Sequence, residues 1–143
     1  ERSTHLIRPP RRDFVFSYLH GITWADVAGE PTFRELWPTI ARELADVDYL
    51  VAHNAGFDRS VLYQCCERAR VAPPPQDFHC TVKVAKHLWR LRHASLPHVC
   101  DYLGIGLQHH DPSSDALACA RILIAALESG RELPPVLGAR RAR

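Results

Sequence analysis

Methionine is absent from all 143 residues of this chain. A long apolar run is absent too: the longest, Ile122–Leu127, falls far short of the ~20 residues that a membrane-crossing helix needs. No stretch reads as a signal or transit peptide, and no membrane partner is expected. The five cysteines, Cys65, Cys66, Cys80, Cys100 and Cys119, are odd in number and contain no Cys-x-x-Cys pair. That argues against both a disulfide framework and a zinc ribbon. Most of them fall on apolar faces of expected helices, where a thiol behaves as a small hydrophobe, so a reduced, cytoplasmic setting is the simplest expectation. Nine histidines are present, yet His-x-x-x-His is not, and His87, His93 and His98 lack tight ligand spacing. A zinc hydrolase is therefore disfavoured.

The remaining composition is that of one globular domain. Hydrophobic residues at 46% and charged residues at 24% exclude disordered and fibrous classes. A formal charge of +2 does not by itself announce a nucleic-acid partner. Cations cluster in Arg8-Pro-Pro-Arg-Arg12, Arg90–Arg92 and Arg140–Arg143, but such runs are usually solvated surface or tail.

Along the chain, residues 4–8 can form a short strand that Pro9-Pro10 stops. Thr32-x-x-Glu35 is a capping box, followed by Phe33, Leu36, Trp37, Ile40, Ala41 and Leu44 at helical spacing; Pro38 inside that helix should bend it or cost stability locally. Tyr49–Ala52 reads as a buried strand, and Asn54 can cap a helix reaching about Arg70. A strand over Phe78–Thr81, a helix over Val82–Trp89 and a small helix over Leu96–Leu103 follow, the last ended by Gly104. Asp111 is a good N-cap, Pro112 suits the first helical position, and the last helix runs from there to about Ser129. Residues 1–130 thus read as the domain, and 131–143 as a Pro/Arg-rich tail expected to be disordered. Strands alternating with helices indicate an α/β layered fold.

Two helix openings carry the chemistry. In His53-Asn-Ala-Gly-Phe-Asp58 and in His110-Asp-Pro-Ser-Ser-Asp115 an aspartate lies one turn inside a helix, and in the second a histidine stands just outside it. His110 and Asp115 take the two positions whose side chains meet in a hydrophobic staple, yet an imidazole and a carboxylate form no apolar contact. Taken singly, each aspartate reads as a helix-dipole carboxylate, His110 as a loop residue, and Phe57 as core. His20 before Gly21 could simply cap a turn. His109 is the neighbouring alternative to His110.

In combination these segments resemble the DnaQ-like, DEDDh-type 3′→5′ exonucleases. Four segments appear in the family's order: Leu19-His-Gly-Ile-Thr23, His53–Asp58, Cys80-Thr81 before a helix, and His110-x-x-x-x-Asp115. The resemblance covers about Thr4 to Leu127 and implies a ribonuclease H-like mixed sheet flanked by helices. It implies Asp58 and Asp115 as ligands of Mg²⁺ or Mn²⁺, two ions in the complete family site, and His110 as the general base. It also implies that His20, Gly21, Ile22, Asn54 and Phe57 hold the terminal nucleotide of single-stranded DNA or RNA. The two aspartates suit such chemistry, since hard divalent ions take oxygen ligands, and an imidazole titrates near neutral pH.

The family's first motif, Asp-x-Glu on its first strand, occurs nowhere in the sequence. The expectation is a chain that is a piece of a larger protein, lacking the first two strands of the fold. Alone it should be weak or inactive, and unstable, oligomeric or completed by another segment. A non-catalytic nucleic-acid-binding domain, or one serving as a polymerase-associated interaction module, is the alternative function.

Overall fold

A computed structural model describes residues 2–13, 17–108 and 110–138. Seven helices and two strands alternate along them: α1 (Ser17–His20), α2 (Trp24–Val27), α3 (Phe33–Glu43), β1 (Tyr49–Ala52), α4 (Ala55–Ala69), β2 (Asp77–Cys80), α5 (Thr81–Leu88), α6 (Leu96–Leu103) and α7 (Pro112–Glu128). They group into two compact units. One comprises residues up to Asp46 together with Leu62–Pro74, and the other Val47–Val61 together with Pro75 onward.

In the first unit, local capping does most of the work. Thr32 and Glu35 satisfy each other as the spacing predicts: Thr32 N–H donates to Glu35 Oε2 at 2.7 Å, and Glu35 N–H to Thr32 Oγ1 at 3.4 Å. The helix α3 continues through Pro38, with Trp37 buried and stacked on Phe33 at 5.3 Å between centroids. A second box, Thr23 with Asp26, opens the four-residue α2, where Thr23 N–H donates to Asp26 Oδ2 at 2.7 Å. The strand expected over residues 4–8 does not form. Arg8 makes one isolated parallel bridge to Thr32, its N–H donating to Pro31 O at 2.9 Å. A strand exists only through its neighbour, and among the described residues no strand lies beside this segment.

In the second unit, β1 and β2 pair in parallel with Tyr49 opposite Asp77 and Ala52 opposite Cys80. Strand β1 is half-buried rather than buried, and Tyr49 is exposed, because among the described residues it is paired along one edge only. The far edge of β2 is met by Leu137, antiparallel, with Phe78 and Leu137 exchanging both N–H···O bonds at 3.0 and 2.8 Å. The disorder expected beyond Gly130 therefore does not hold for residues 131–138. Leu133 packs on Val84, Leu88 and Ala126, and Arg131 Nη1 donates to Leu88 O at 2.8 Å. Arg140–Arg143 lie outside the described residues.

Helix α7 packs on β1, α5 and α6. Its Ala118, Cys119 and Ile122 share a dry core with Ala85, Leu96, Val99 and Cys100, against which Val51 is packed. Removing this much apolar side chain from water is the main stabilising term of the unit. The end of α6 shows how local chemistry sets boundaries. Gly104 takes φ +68°, a conformation costly for any residue with a Cβ, and turns the chain so that Ile105 N–H donates to Cys100 O at 2.8 Å. The parallel sheet, the antiparallel bridge at its edge and the helices packed on it make the α/β layered arrangement that the alternating pattern implied, in keeping with the ribonuclease H-like fold that the resemblance implied.

Candidate active site

Parallel strands that run side by side deliver their following segments to the same end of the sheet. After β1 the chain turns through His53 and Asn54 into α4; after β2 it enters α5 at once, with Thr81 as the first helical residue. The two exits are tied together. His53 Nδ1 and Thr81 Oγ1 lie 2.8 Å apart, and Thr81, fully buried, also reaches Ala52 O at 3.5 Å. A buried hydroxyl needs such partners, since leaving it unpaired would cost about 1–3 kcal/mol.

Cys119 of α7 forms the floor beneath this junction. Burial, with lesser contributions from the negative charges of Asp58 and Asp115, pushes the pKa of its thiol up to about 11, against the opposing effect of the His53 backbone and the Thr81 hydroxyl. Asp58, in the first turn of α4 directly after β1, and Asp115, in the first turn of α7, which packs on β1, both belong to the second unit. Asp115 acts in addition on Cys100, the neighbouring core thiol. Cys119 stays protonated and inert at neutral pH.

Each aspartate is the fourth residue of its helix. Asp115 follows a well-made cap: Ser114 N–H donates to Asp111 Oδ2 at 2.8 Å, Asp115 N–H to Asp111 O at 2.9 Å, and Gln108 N–H to Ser114 Oγ at 2.8 Å. Asp58 follows Asn54, which has φ +62° and begins the helix through its carbonyl, accepting from Phe57 N–H at 2.9 Å. Asn54, expected to cap this helix, stands immediately before it with its backbone in the left-handed region. Asp58 shows area to solvent, yet desolvation by the surrounding protein raises its carboxyl above the usual carboxylate range. Its own backbone N–H and the nearby His53 oppose that shift.

Among the other expected site residues, Phe57 is 68% exposed and Asn54 is exposed, which removes the reading of Phe57 as core. His110 stands at the surface with φ +71°, immediately before the cap Asp111. His109 lies outside the described residues. His20, Gly21 and Ile22 belong to the first unit, where Ile22 N–H donates to His20 Nδ1 at 3.0 Å and Ser17 Oγ donates to Ile22 O at 2.8 Å around Gly21 at φ +72°. The turn-capping reading of His20 is thus realised in the backbone. Sequence reasoning assigned no role to His53, Thr81 or Cys119. The signal available was the position of His53 and Thr81, each directly after a parallel strand.

Residues 5–123 match the RNase_T exonuclease family. The chain belongs to that family. It is 30% identical to exodeoxyribonuclease 10 of Escherichia coli (strain K12) over 128 residues, 85% of this chain and 52% of the relative. It is 29% identical to the PolC-type DNA polymerase III of Thermotoga maritima over 130 residues, 90% of this chain and 9% of that protein. The chain thus spans about half of the first relative and a small part of the second. Among solved structures, exonuclease X in complex with 5′ overhanging duplex DNA matches with a TM-score of 0.71 and 28% identity, covering 90% of this chain and 75% of that one. A full-length 3′-exonuclease shares the fold at TM-score 0.76 and 19% identity, covering 94% and 52%. No described helix is long and apolar enough to cross a membrane.

Proposed function

We propose that this chain removes nucleotides from the 3′ ends of single-stranded nucleic acid, as a metal-dependent 3′→5′ exonuclease. The observation that carries this reading is the pair of helix openings, α4 directly after β1 and α7 packed on β1, each with an aspartate as its fourth residue. Family membership supports it.

Two aspartates are hard oxygen donors suited to Mg²⁺ or Mn²⁺. No group of three or more His, Cys, Asp or Glu that could hold a metal ion gathers among the described residues. Asp58 and Asp115 would hold the cation. When bound, such an ion neutralises phosphate charge and eases ionisation of water. The remaining steps belong to the chain. His110 accepts the proton of the attacking water, a task that suits an imidazole. The exposed Phe57 ring offers a sequence-tolerant stacking face to the terminal base, with Asn54 close by in sequence. His53 and Thr81 keep the two helix openings in register.

With two carboxylates in place, the activity of this chain by itself is low. The identity to a PolC-type polymerase favours a second reading, a polymerase-associated domain that retains the nucleotide pocket. The experiment is digestion of a 5′-labelled single strand with Mn²⁺ or with chelator, using this chain and any longer product its reading frame encodes. A metal-dependent ladder supports the exonuclease. Chelator-insensitive binding with no ladder from either protein would move the assignment to the second reading.

A further inference from the structure

Between Phe78 and Cys100 the sequence contains no aspartate or glutamate, although the whole chain holds 16 acids against 18 lysines and arginines. This segment contains α5. Its inner positions Val84, Ala85 and Leu88 are buried in the core, and Thr81 is tied to His53. Its outer positions Lys83, Lys86 and His87 are all exposed and fall at the i, i+3, i+4 spacing of one helix face, with exposed Arg90 just beyond the last turn. Five other cations of the protein are used internally. Arg59 donates to Gly138 O, Arg131 to Leu88 O and Arg42 to Pro38 O, while Arg8 pairs with Glu35 and Arg12 lies over the Trp24 ring. Lys83, Lys86 and Arg90 make no hydrogen bond or ion pair among the described residues.

Helix electrostatics account for only part of this stripe. Lys86 and His87 sit in the last turn, where a cation is favoured. Lys83 is the third residue of α5, in a first turn that contains no acid, where a positive charge is disfavoured. A cation held there against the dipole, on an otherwise uncompensated face, points to an anionic partner. The stripe also has a direction. It starts two residues from Thr81, whose hydroxyl meets His53 just before α4, and at ~1.5 Å per residue it runs about 8 Å along α5 from Lys83 to Leu88, with Arg90 beyond the end. We propose that this face is a backbone rail, holding phosphodiesters of the strand whose 3′ end lies at the aspartates, two or three nucleotides upstream of the scissile bond. The proposal rests on the exonuclease reading and adds to it a contact outside the carboxylate site.

The test compares the chain with Lys83→Gln/Lys86→Gln/Arg90→Gln, all exposed positions at which folding is not at stake. Binding of fluorescein-labelled 20-nucleotide and 3-nucleotide oligothymidylates is followed by anisotropy in chelator over a range of KCl. Each lost phosphate contact removes ~0.7 from the slope of log Kd against log salt, so the slope for the 20-mer should fall by about 2. Its Kd should rise at least ~10-fold at 0.1 M salt, while the trimer is held as before. Arg68→Gln/Arg70→Gln/Arg121→Gln, an equal charge change elsewhere, should leave the 20-mer slope nearly intact. An unchanged 20-mer slope in the first variant, or an equal fall in the second, would overturn the rail. Failure of the unsubstituted chain to bind the 20-mer would overturn the exonuclease reading along with it, whereas normal binding with no effect of the variant overturns the rail alone.

Discussion

The openings of α4 and α7 place the same residue type at the same helical position by opposite means. At α7 the cap is local: Asp111 accepts from Ser114 N–H, Pro112 presets the first turn, and His110 turns the chain just before. At α4 the local cap is missing, and Asn54 in the left-handed region hands the work to a tertiary contact, His53 with Thr81, between the two strand exits. The difference teaches that a carboxylate at a helix opening can be aimed either by its own neighbours or by another part of the sheet, and that the second way ties its position to the core.

Breaking the chemistry should have the largest effect and treat the two openings alike. In the most active form of the protein, Asp115→Ala or His110→Ala should lower the rate of single-strand hydrolysis by about 10²–10⁴-fold, with binding in chelator largely retained. Measured rates near those of the unsubstituted protein would remove the assigned roles. Breaking the supports should separate the openings. Thr81→Val leaves His53 without its hydroxyl partner and should cost about 1–3 kcal/mol by denaturant unfolding. Asp111→Ala removes a surface cap and should cost ~1 kcal/mol. An equal or reversed order would show that α4 is held by something other than the tie.

Smaller effects sharpen the contrast. The Asp58 carboxyl lies above its ordinary 3.8, so its charged form destabilises the fold at neutral pH, and this penalty is relieved as pH falls toward that value. Asp58→Asn should therefore raise the thermal midpoint slightly at pH 7 while abolishing hydrolysis; a lowered midpoint would contradict the desolvation. His79, buried in β2 with its ring 4.8 Å from that of Tyr49, has a pKa below the usual 6.5 because burial disfavours its charged form. Its stabilising contribution is complete above 6.5 and is lost as pH falls from there through the lower folded value. Thermal melts between pH 8 and 5 should show this decline, and His79→Phe should flatten it.

Legibility in the sequence followed the same divide. The bounds of α6 and the start of α7 could be read because Gly104, Asp111 and Pro112 act within one turn. The short α2 was missed, although Thr23-x-x-Asp26 carries a capping signal. The strand at residues 4–8 was over-read, since pairing depends on a neighbour that propensity does not reveal. In the site, the aspartates were readable as residue types at helix openings. The tie between His53 and Thr81 was not, because it arises from the pairing of two parallel strands.

The bridge between Leu137 and Phe78 bears on how the domain should be cut for expression. A boundary at Gly130, natural from the sequence, would strip the second edge of β2 of its hydrogen-bonded cover. It would also delete the Gly138 carbonyl that Arg59 Nη1 meets at 2.6 Å, one residue along the helix from Asp58. A shortened protein of that kind would present a bare edge to other copies, a template for aggregation. Its loss of activity would then be mistaken for a property of the catalytic residues.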